Sequence, residues 1–371
     1  MSHHHPENDP KYIGLNVNAG IEKPDAVNAE SVKRFLKRGR RQILSPDEYF
    51  NGIISGNISI LSQAVTLIES NKPEHQKVAQ EIIIKCLPRA GKSIRLGITG
   101  VPGAGKSTFI ESLGKLITGS GGKLAVLAID PSSERSKGSI LGDKTRMEEL
   151  SSDPNAYIRP SPSAGSLGGV ARKTREIIVL CEAAGFGTIF IETVGVGQSE
   201  TVVHSMVDFF LLLQIAGAGD ELQGIKRGIM EMADTIVINK ADGDNYEKAQ
   251  LAAAQFRSAL HLFPPTGSGW SPPVMTCSAL ENTGVQQIWN TVNEYVTLTK
   301  ENNFFQSRRN DQAKYWMYET INETLRNNFY HNHQVRGRLP HYEKLVLTNG
   351  MSSFIAAHEL LESYFKSVGN E

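Results

Sequence analysis

The feature that most constrains the fold is the glycine-rich stretch "GVPGAGKS" at residues 100–107. It fits the pattern G-x-x-x-x-G-K-[ST], and it lies between the apolar run "IRLGIT" and the helix-forming run "TFIESLGKLI". Glycines permit a tight turn in which backbone N–H groups converge on anionic oxygens, and the N-terminus of the following helix adds its dipole. The pattern therefore predicts a phosphate-binding loop between a strand and a helix.

Individual residues of this loop have predicted roles. Lys106 would contact the β- and γ-phosphates of a nucleotide, and Ser107 would bind Mg²⁺. A glycine-rich helix start without a ligand is the alternative interpretation, and the correctly spaced lysine and serine argue against it. The predicted phosphate-binding residues are Gly100, Val101, Pro102, Gly103, Ala104, Gly105, Lys106, Ser107 and Thr108.

Short apolar runs alternate with helical stretches from residue 94 onward. This alternation predicts an α/β fold of the P-loop NTPase type, in which helices flank a mainly parallel sheet. Ligands of such sheets bind at the carboxyl ends of the strands. The expected strands are residues 94–99, 124–130, 188–193, 208–216, 235–240 and 274–279.

Two stretches near the end of this region indicate the base of the nucleotide. Asn239, Lys240 and Asp242 follow a predicted strand, and the Asp242 carboxylate can accept from both the N1–H and the 2-amino group of guanine. Ser278, Ala279 and Leu280 follow the next strand, where a backbone N–H would meet the guanine O6. Adenine offers no such pair of donors, so the sequence favours GTP over ATP.

Acidic residues at strand ends and in loops are candidates for the metal site. Glu192 ends a predicted strand, as the Mg²⁺-side acid of a P-loop NTPase does, and Asp130 ends another. Asp143 lies in a long Ser/Gly-rich loop, where capping a neighbouring helix is its alternative role.

The residues after Glu192 bear on catalysis. Gly195 could present its N–H to the γ-phosphate, and the next residue is Val196, where some GTPases carry a glutamine that orients water. Gln198 lies two positions further on. We therefore expect slow intrinsic hydrolysis that another factor accelerates or gates.

Length and patterning predict three regions in the 371 residues. We expect an N-terminal helical region at 1–90, a P-loop GTPase domain at 91–298 and a C-terminal helical region at 299–371. The first contains a capping box that pairs Ser45 with Glu48. The last would cover the domain or pair with a second subunit.

Composition limits the classes of binding partner and the cellular compartment that the sequence favours. Lys plus Arg and Asp plus Glu number 39 each, so no net charge indicates nucleic acid or a membrane as partner. The longest apolar run, 206–216, is too short to span a bilayer, and the first residues resemble neither a signal nor a transit peptide. The separated Cys86, Cys181 and Cys277 indicate reduced core thiols. Together these features predict a cytoplasmic location.

Several motifs together resemble the MeaB/ArgK GTPases, relatives of the human methylmalonic-aciduria type A protein. They are "GVPGAGKST", "AIDPSS", "GDKTRM", "RPSPSAGSLGGVAR", "IETVGVGQSE", "AGAGDELQGIKRGIMEMAD" and "NKAD". The resemblance implies a SIMIBI-class P-loop protein that forms homodimers and escorts adenosylcobalamin-dependent methylmalonyl-CoA mutase. GTP binding and hydrolysis would gate cofactor delivery and protect the mutase.

The resemblance also implies roles for individual residues. Asp130, Asp143 and Glu192 would surround the metal and the attacking water, beside the catalytic Lys106. The stretch "QIAGAGDELQGIKRG" resembles an additional switch loop, in which Asp220 and Lys226 would change partners with nucleotide state. We expect the loops around Asp143 and Gln198 to become ordered when GTP and Mg²⁺ bind.

Two other functions remain open at this point. One is an ATP-dependent kinase of an amino-acid transport system, which the guanine-type motif opposes. The other is a metallochaperone GTPase, which would need a Cys/His ligand cluster, whereas the only histidine run is His3 to His5.

Overall fold

The centre of the molecule is a seven-stranded sheet in which every neighbouring pair is parallel. The computed structural model describes residues 43–130, 147–162, 167–193, 199–217, 227–264 and 266–368. The strand order is β3-β2-β4-β1-β5-β6-β7, which confirms the predicted fold class. The strands are β1 Ile94–Gly100, β2 Leu124–Asp130, β3 Ala156–Pro162, β4 Thr188–Thr193, β5 Phe209–Ile215, β6 Thr235–Asn239 and β7 Val274–Thr276.

Helices precede the sheet, flank it and follow it. In the described part of the chain, the 3₁₀ turn Leu87–Arg89 lies between a helix and the first strand, and the 3₁₀ turn Gly243–Asn245 lies between the sixth strand and a helix. The α-helices of the described residues are α1 Pro46–Ile54, α2 Ile58–Glu69, α3 Pro73–Cys86, α4 Lys106–Gly119, α5 Glu148–Ser152, α6 Leu167–Ala183, α7 Ser199–His204, α8 Arg227–Met232, α9 Tyr246–Leu260, α10 Val285–Glu301, α11 Phe304–His331, α12 His333–Leu347 and α13 Ser353–Val368.

The N-terminal helices begin as the sequence predicts. The Ser45 backbone N–H donates to Glu48 Oε2 at 2.8 Å, and the Glu48 N–H donates to Ser45 Oγ at 3.3 Å, which completes the capping box of α1. Helix α2 buries Leu61, Val65 and Ile68 on its inner face. This burial ties the helix to the sheet domain, because an amphipathic helix is stabilised mainly by the packing of its apolar face.

Strand β3 is the one strand of the described sheet that the sequence did not predict. Its residues include Pro160 and Pro162, which lower the strand propensity of the segment. The structure places β3 at the edge of the sheet, paired only with β2. Proline is tolerated on an edge strand because its missing N–H does not interrupt a ladder on both sides.

The apolar runs of the inner strands follow from burial on both faces. Every residue of β4 and β6 is buried, and so are the first six of β5. A parallel sheet covered by helices on both sides produces this near-continuous apolar pattern. Behind the phosphate loop, Phe109, Ile110 and Leu113 anchor α4 in the core without exposed surface.

All three cysteines are buried free thiols, as predicted. Burial raises the pKa of Cys86 to about 11 and, with a smaller contribution from Asp242, the pKa of Cys277 to about 12. In the part of the chain that the structure describes, no helix is long and apolar enough to cross a membrane.

Charged side chains at the amino-terminal edge of the sheet join α11 to the strands. Arg309 donates from Nε and Nη2 to the two carboxylate oxygens of Asp208 at 2.7 and 2.6 Å, and it also donates to the carbonyls of Gly91 and Ser93. Asp208 directly precedes β5 and also accepts from the Arg95 N–H at 2.8 Å. The start of α11 is therefore fixed to two neighbouring strands.

The C-terminal region beyond the start of α11 buries some apolar side chains and exposes others. Trp316 of α11 is buried and donates its indole N–H to the Ser205 carbonyl at 3.1 Å. In contrast, Ile321 on the same helix and Phe354 and Phe365 on α13 are exposed. The described part of this region is helical, and among the described residues nothing covers these apolar side chains.

We expect Arg309→Met to destabilise the fold by roughly 3–5 kcal/mol, because it leaves the buried Asp208 carboxylate without its cation. The free energy of unfolding from urea denaturation measures the effect. Arg326→Met, on the exposed surface of the same helix, is the control and should change stability by less than about 0.5 kcal/mol. Equal stability of the two variants would show that the Arg309 pair contributes nothing.

Candidate nucleotide-binding site

The phosphate loop runs from the end of β1 to the start of α4. Gly103 and Gly105 have φ angles of 79° and 83°, which favour glycine. A Cβ on Gly105 would lie 2.8 Å from Asn239 Nδ2, and a Cβ on Gly100 would lie 2.1 Å from the Leu213 carbonyl oxygen. Gly100 and Gly105 are thus required by close packing of this loop against β5 and β6, whereas Gly103 is favoured by its positive φ alone.

Lys106, the first residue of α4, turns back over the loop. Its ammonium group donates to the Gly100 carbonyl at 2.9 Å and to the Val101 carbonyl at 3.4 Å. Burial lowers the pKa of Lys106, whereas the negative charges of Glu192 and Glu200 act in the opposite direction. An ammonium has three donors, so at least one remains for phosphate oxygens.

Glu192 lies near the carboxyl end of β4, between Ile98 of β1 and Ala128 of β2. Its side chain is 4% exposed, and its charge acts on Lys106. The next residue, Thr193, donates its hydroxyl to Thr99 Oγ1 at 2.9 Å and so ties β4 to β1. Glu192, the carboxylate predicted to lie near Mg²⁺, is therefore at the same edge of the sheet as the phosphate loop.

Glu200 is a residue that the sequence analysis missed. It lies in α7, is buried, and is the second carboxylate whose charge acts on Lys106. The sequence feature that could have identified Glu200 is its position two residues after Gln198, in a stretch already assigned to the site. Two carboxylates therefore balance the positive charge of the phosphate loop.

The oxygen donors at this edge fit Mg²⁺. Ser107 is the second residue of α4, and Glu192 lies near the carboxyl end of β4, at the same edge of the sheet. Among the described residues no three His, Cys, Asp or Glu side chains cluster as a metal site. Mg²⁺ needs no such cluster beside a nucleotide, because phosphates and waters complete its octahedral shell.

Asn239, the last residue of β6, links the two halves of the site. Its side-chain amide donates from Nδ2 to the Ala104 carbonyl at 2.8 Å, and its Oδ1 accepts from the Ala279 N–H at 3.0 Å. The residue is only 2% exposed. The NH₂ group and the oxygen of this one amide therefore connect the phosphate loop to the loop after β7.

Asp242 and Ser278 form the predicted base-recognition edge. Asp242 is half-buried, and its Oδ2 accepts from the Ser278 hydroxyl. Ser278 Oγ in turn accepts from the Glu281 N–H at 3.1 Å, which orients the hydroxyl toward the carboxylate. The other carboxylate oxygen keeps its capacity to accept from guanine donors.

Lys240 and Leu280 complete this edge by their backbone positions. Lys240 has φ 59°, and its carbonyl accepts from Asn245 Nδ2 at 2.6 Å. Leu280 is 79% exposed, and the contact of its backbone with guanine stays a prediction. The structure thus brings the phosphate loop, Glu192 and the base-recognition edge to the same end of the sheet.

Other predicted site residues cannot be placed in the same way. Asp130 is the last residue of β2, and its side chain lies outside the described part. Asp143, Gly195, Gln198, Asp220 and Lys226 all lie outside the described residues.

Comparison with known proteins gives a family match across most of the chain. The family model described as "Methylmalonyl Co-A mutase-associated GTPase MeaB" matches residues 61–334. This span includes the phosphate loop, Glu192 and the base-recognition edge.

Individual relatives agree with that match. GTPase ArgK of Escherichia coli strain K12 is 46% identical over 308 residues, which cover 83% of this chain and 88% of that protein. The mouse protein named methylmalonic aciduria type A homolog, mitochondrial, is 45% identical over 328 residues, covering 86% of this chain and 79% of its own length. A crystal structure of a LAO/AO transport system kinase aligns with a TM-score of 0.70 and 37% identity, over 86% of this chain and 99% of that one.

We expect Asn239→Ala to weaken GTP binding by about tenfold or more, because the Ala104 carbonyl and the Ala279 N–H lose their shared partner. Equilibrium titration with a fluorescent GTP analogue measures the affinity. Asn290→Ala, on the exposed face of α10, is the matched control. Wild-type affinity in Asn239→Ala would refute the bridging role.

Asp242→Asn should weaken GTP binding and favour xanthosine triphosphate, because the amide can donate to the 2-oxo group of xanthine where the carboxylate accepted from guanine. Competition between the two nucleotides gives the preference directly. An unchanged preference for GTP would remove Asp242 from base recognition.

Proposed function

The chain belongs to the MeaB family of GTPases and is a GTP hydrolase, and on that premise we propose that it serves as a chaperone of adenosylcobalamin-dependent methylmalonyl-CoA mutase. In this proposal GTP binding and hydrolysis gate delivery of the cobalamin cofactor and protect the mutase. The family match over residues 61–334 carries the proposal, since it includes both halves of the nucleotide site.

Catalysis would use the groups around the phosphate loop. Lys106 would place its ammonium on the β- and γ-phosphates, held by the Gly100 carbonyl. Ser107 and Glu192 would hold Mg²⁺, which supplies positive charge to the phosphates. Asp130 and Asp143 would complete the surroundings of the metal and of the attacking water.

The predicted switch residues adjoin two short helices. Helix α7 begins at Ser199, directly after Gln198, and α8 begins at Arg227, directly after Lys226. Asp220 lies in the same preceding segment as Lys226. A change of partners in either segment would therefore reach a helix, which supports a mechanism in which the mutase reads the nucleotide state.

We further propose a cytoplasmic homodimer in which the C-terminal region, 299–371, is the dimerisation arm. The large apolar side chains that α11 and α13 expose support this assignment, since burial against a second subunit would remove them from water. Sedimentation analysis of the full chain tests the stoichiometry.

The decisive functional test is the GTP hydrolysis rate of the pure protein, alone and with purified methylmalonyl-CoA mutase. We expect slow turnover of the protein alone, because the chain carries Val196 where some GTPases carry a water-orienting glutamine. If the mutase is the client, the turnover should rise clearly when the mutase is added. Lys106→Ala, which removes the phosphate contact, is the control for contaminating hydrolase activity.

GTP turnover that is indifferent to the mutase would refute the mutase as client. Faster hydrolysis of ATP than of GTP would favour the kinase function named for the solved relative.

A further inference from the structure

Three side chains of α11 reach the turn between α7 and β5. Arg308, Gln312 and Trp316 lie four residues apart and therefore on one face of the helix. All three donate hydrogen bonds to residues of the segment 204–208, which runs from the last residue of α7 to the residue before β5. This turn lies at the amino-terminal edge of the sheet, opposite the phosphate loop.

Two of these contacts go to backbone carbonyls. Trp316 donates its indole N–H to the Ser205 carbonyl at 3.1 Å, and Gln312 Nε2 donates to the Val207 carbonyl at 2.8 Å. Both side chains are buried. Loss of such a bond costs more than loss of an exposed one, because the buried partner is left without a replacement.

The third contact goes to a side chain of α7 itself. Arg308 Nη2 donates to His204 Nε2 at 3.0 Å, since a guanidinium has no acceptor. Burial, and then the Arg308 charge, lower the pKa of His204 to about 4, so the imidazole is neutral and accepts at pH 7. Arg308 Nη1 also donates to the Asp208 carbonyl at 3.1 Å. The C-terminal end of α7 is therefore held by α11.

The other end of α7 faces the phosphate loop. Val203 packs on β1, where a Cβ on Gly97 would lie 3.0 Å from Val203 Cγ1. Glu200 lies three residues earlier, on the same face of the helix and nearer the carboxyl end of β1. Its side chain is 2% exposed, and its charge acts on Lys106. One short helix thus joins the surroundings of Lys106 to α11.

We propose that Arg308, Gln312 and Trp316 are positioning residues for GTP hydrolysis, which act by holding α7 so that the Glu200 carboxylate stays beside the phosphate loop. Helix α7 has six residues and is roughly 9 Å long, so a displacement of one end moves the other. The proposal rests on the nucleotide site described above, and it is independent of the mutase as client.

The γ-phosphate connects this arrangement to the nucleotide state. It would bring negative charge to Lys106, beside the Glu200 carboxylate, and like charges repel each other. GDP lacks this phosphate. GTP would therefore favour an arrangement of α7 that GDP does not, and a ligand shifts a conformational equilibrium by its difference in affinity for the two states. Because α11 holds the end of α7, the shift would reach the contacts of Trp316.

Tryptophan emission tests whether the nucleotide state reaches α11. The full chain with Mg²⁺ is titrated with a non-hydrolysable GTP analogue and with GDP, and calorimetry on the same samples verifies binding. We expect the GTP analogue to change the emission of the wild type but not that of Trp316→Phe, with a smaller change for GDP. Direct quenching by the base is excluded, because the seven residues of β1 separate the two edges by roughly 20 Å.

Kinetics test the effect on hydrolysis. Trp316→Phe keeps an aromatic ring but loses the N–H, and His204→Phe loses the acceptor for Arg308. Each should lower kcat for GTP by about threefold or more while GDP affinity changes by less than about twofold. A merely structural role would not separate these two quantities. Trp289→Phe, in the partly buried Trp289 of α10, is the control and should change neither of them nor the emission response.

Thermal melting verifies that each variant is folded, and either of the two variants that is folded decides the kinetic test. Nucleotide binding without a Trp316-dependent change in emission, or wild-type kcat in a folded variant, would overturn the proposal. Absence of any GTP binding to the wild type would overturn the nucleotide site itself, and the proposal with it.

Discussion

The parallel alignment of the seven strands is the constraint on which the candidate site depends. Because all strands run in one direction, β1, β4, β6 and β7 end at the same edge. The ends of these strands and the loops after them carry the phosphate contacts, Glu192 and the base-recognition residues. Residues separated by more than a hundred positions in sequence, such as Ala104 and Asn239, are brought into hydrogen-bond contact by this alignment alone.

The two edges of the sheet are organised by different interactions. At the carboxyl edge, the neutral amide of Asn239 holds two loops together through backbone groups. At the amino edge, Arg308 and Arg309 hold α11 to Asp234 and Asp208 through buried ion pairs. The short helices α7 and α8 run between these edges, so a rearrangement at one edge has a direct physical route to the other.

The sequence predicted the parts of the fold that depend on local pattern. The phosphate loop, six strands and the capping box at Ser45 follow from spacing and residue type within short segments, and the structure confirms them. It did not predict β3, because Pro160 and Pro162 lower strand propensity and only the edge position permits them. The bridging role of Asn239 and the pairing of Arg309 with Asp208 depend on long-range contacts, which a linear pattern does not contain.

The central claim is that one nucleotide joins the phosphate loop to the base-recognition edge across Asn239. A crystal structure with a non-hydrolysable GTP analogue and Mg²⁺ tests it most directly. The account predicts the γ-phosphate within hydrogen-bond distance of Lys106, Mg²⁺ near Ser107 and Glu192, and the guanine N1 and 2-amino groups on Asp242, with the Asn239 to Ala104 hydrogen bond retained. A base bound away from Asp242, or phosphates bound away from Lys106, would contradict it.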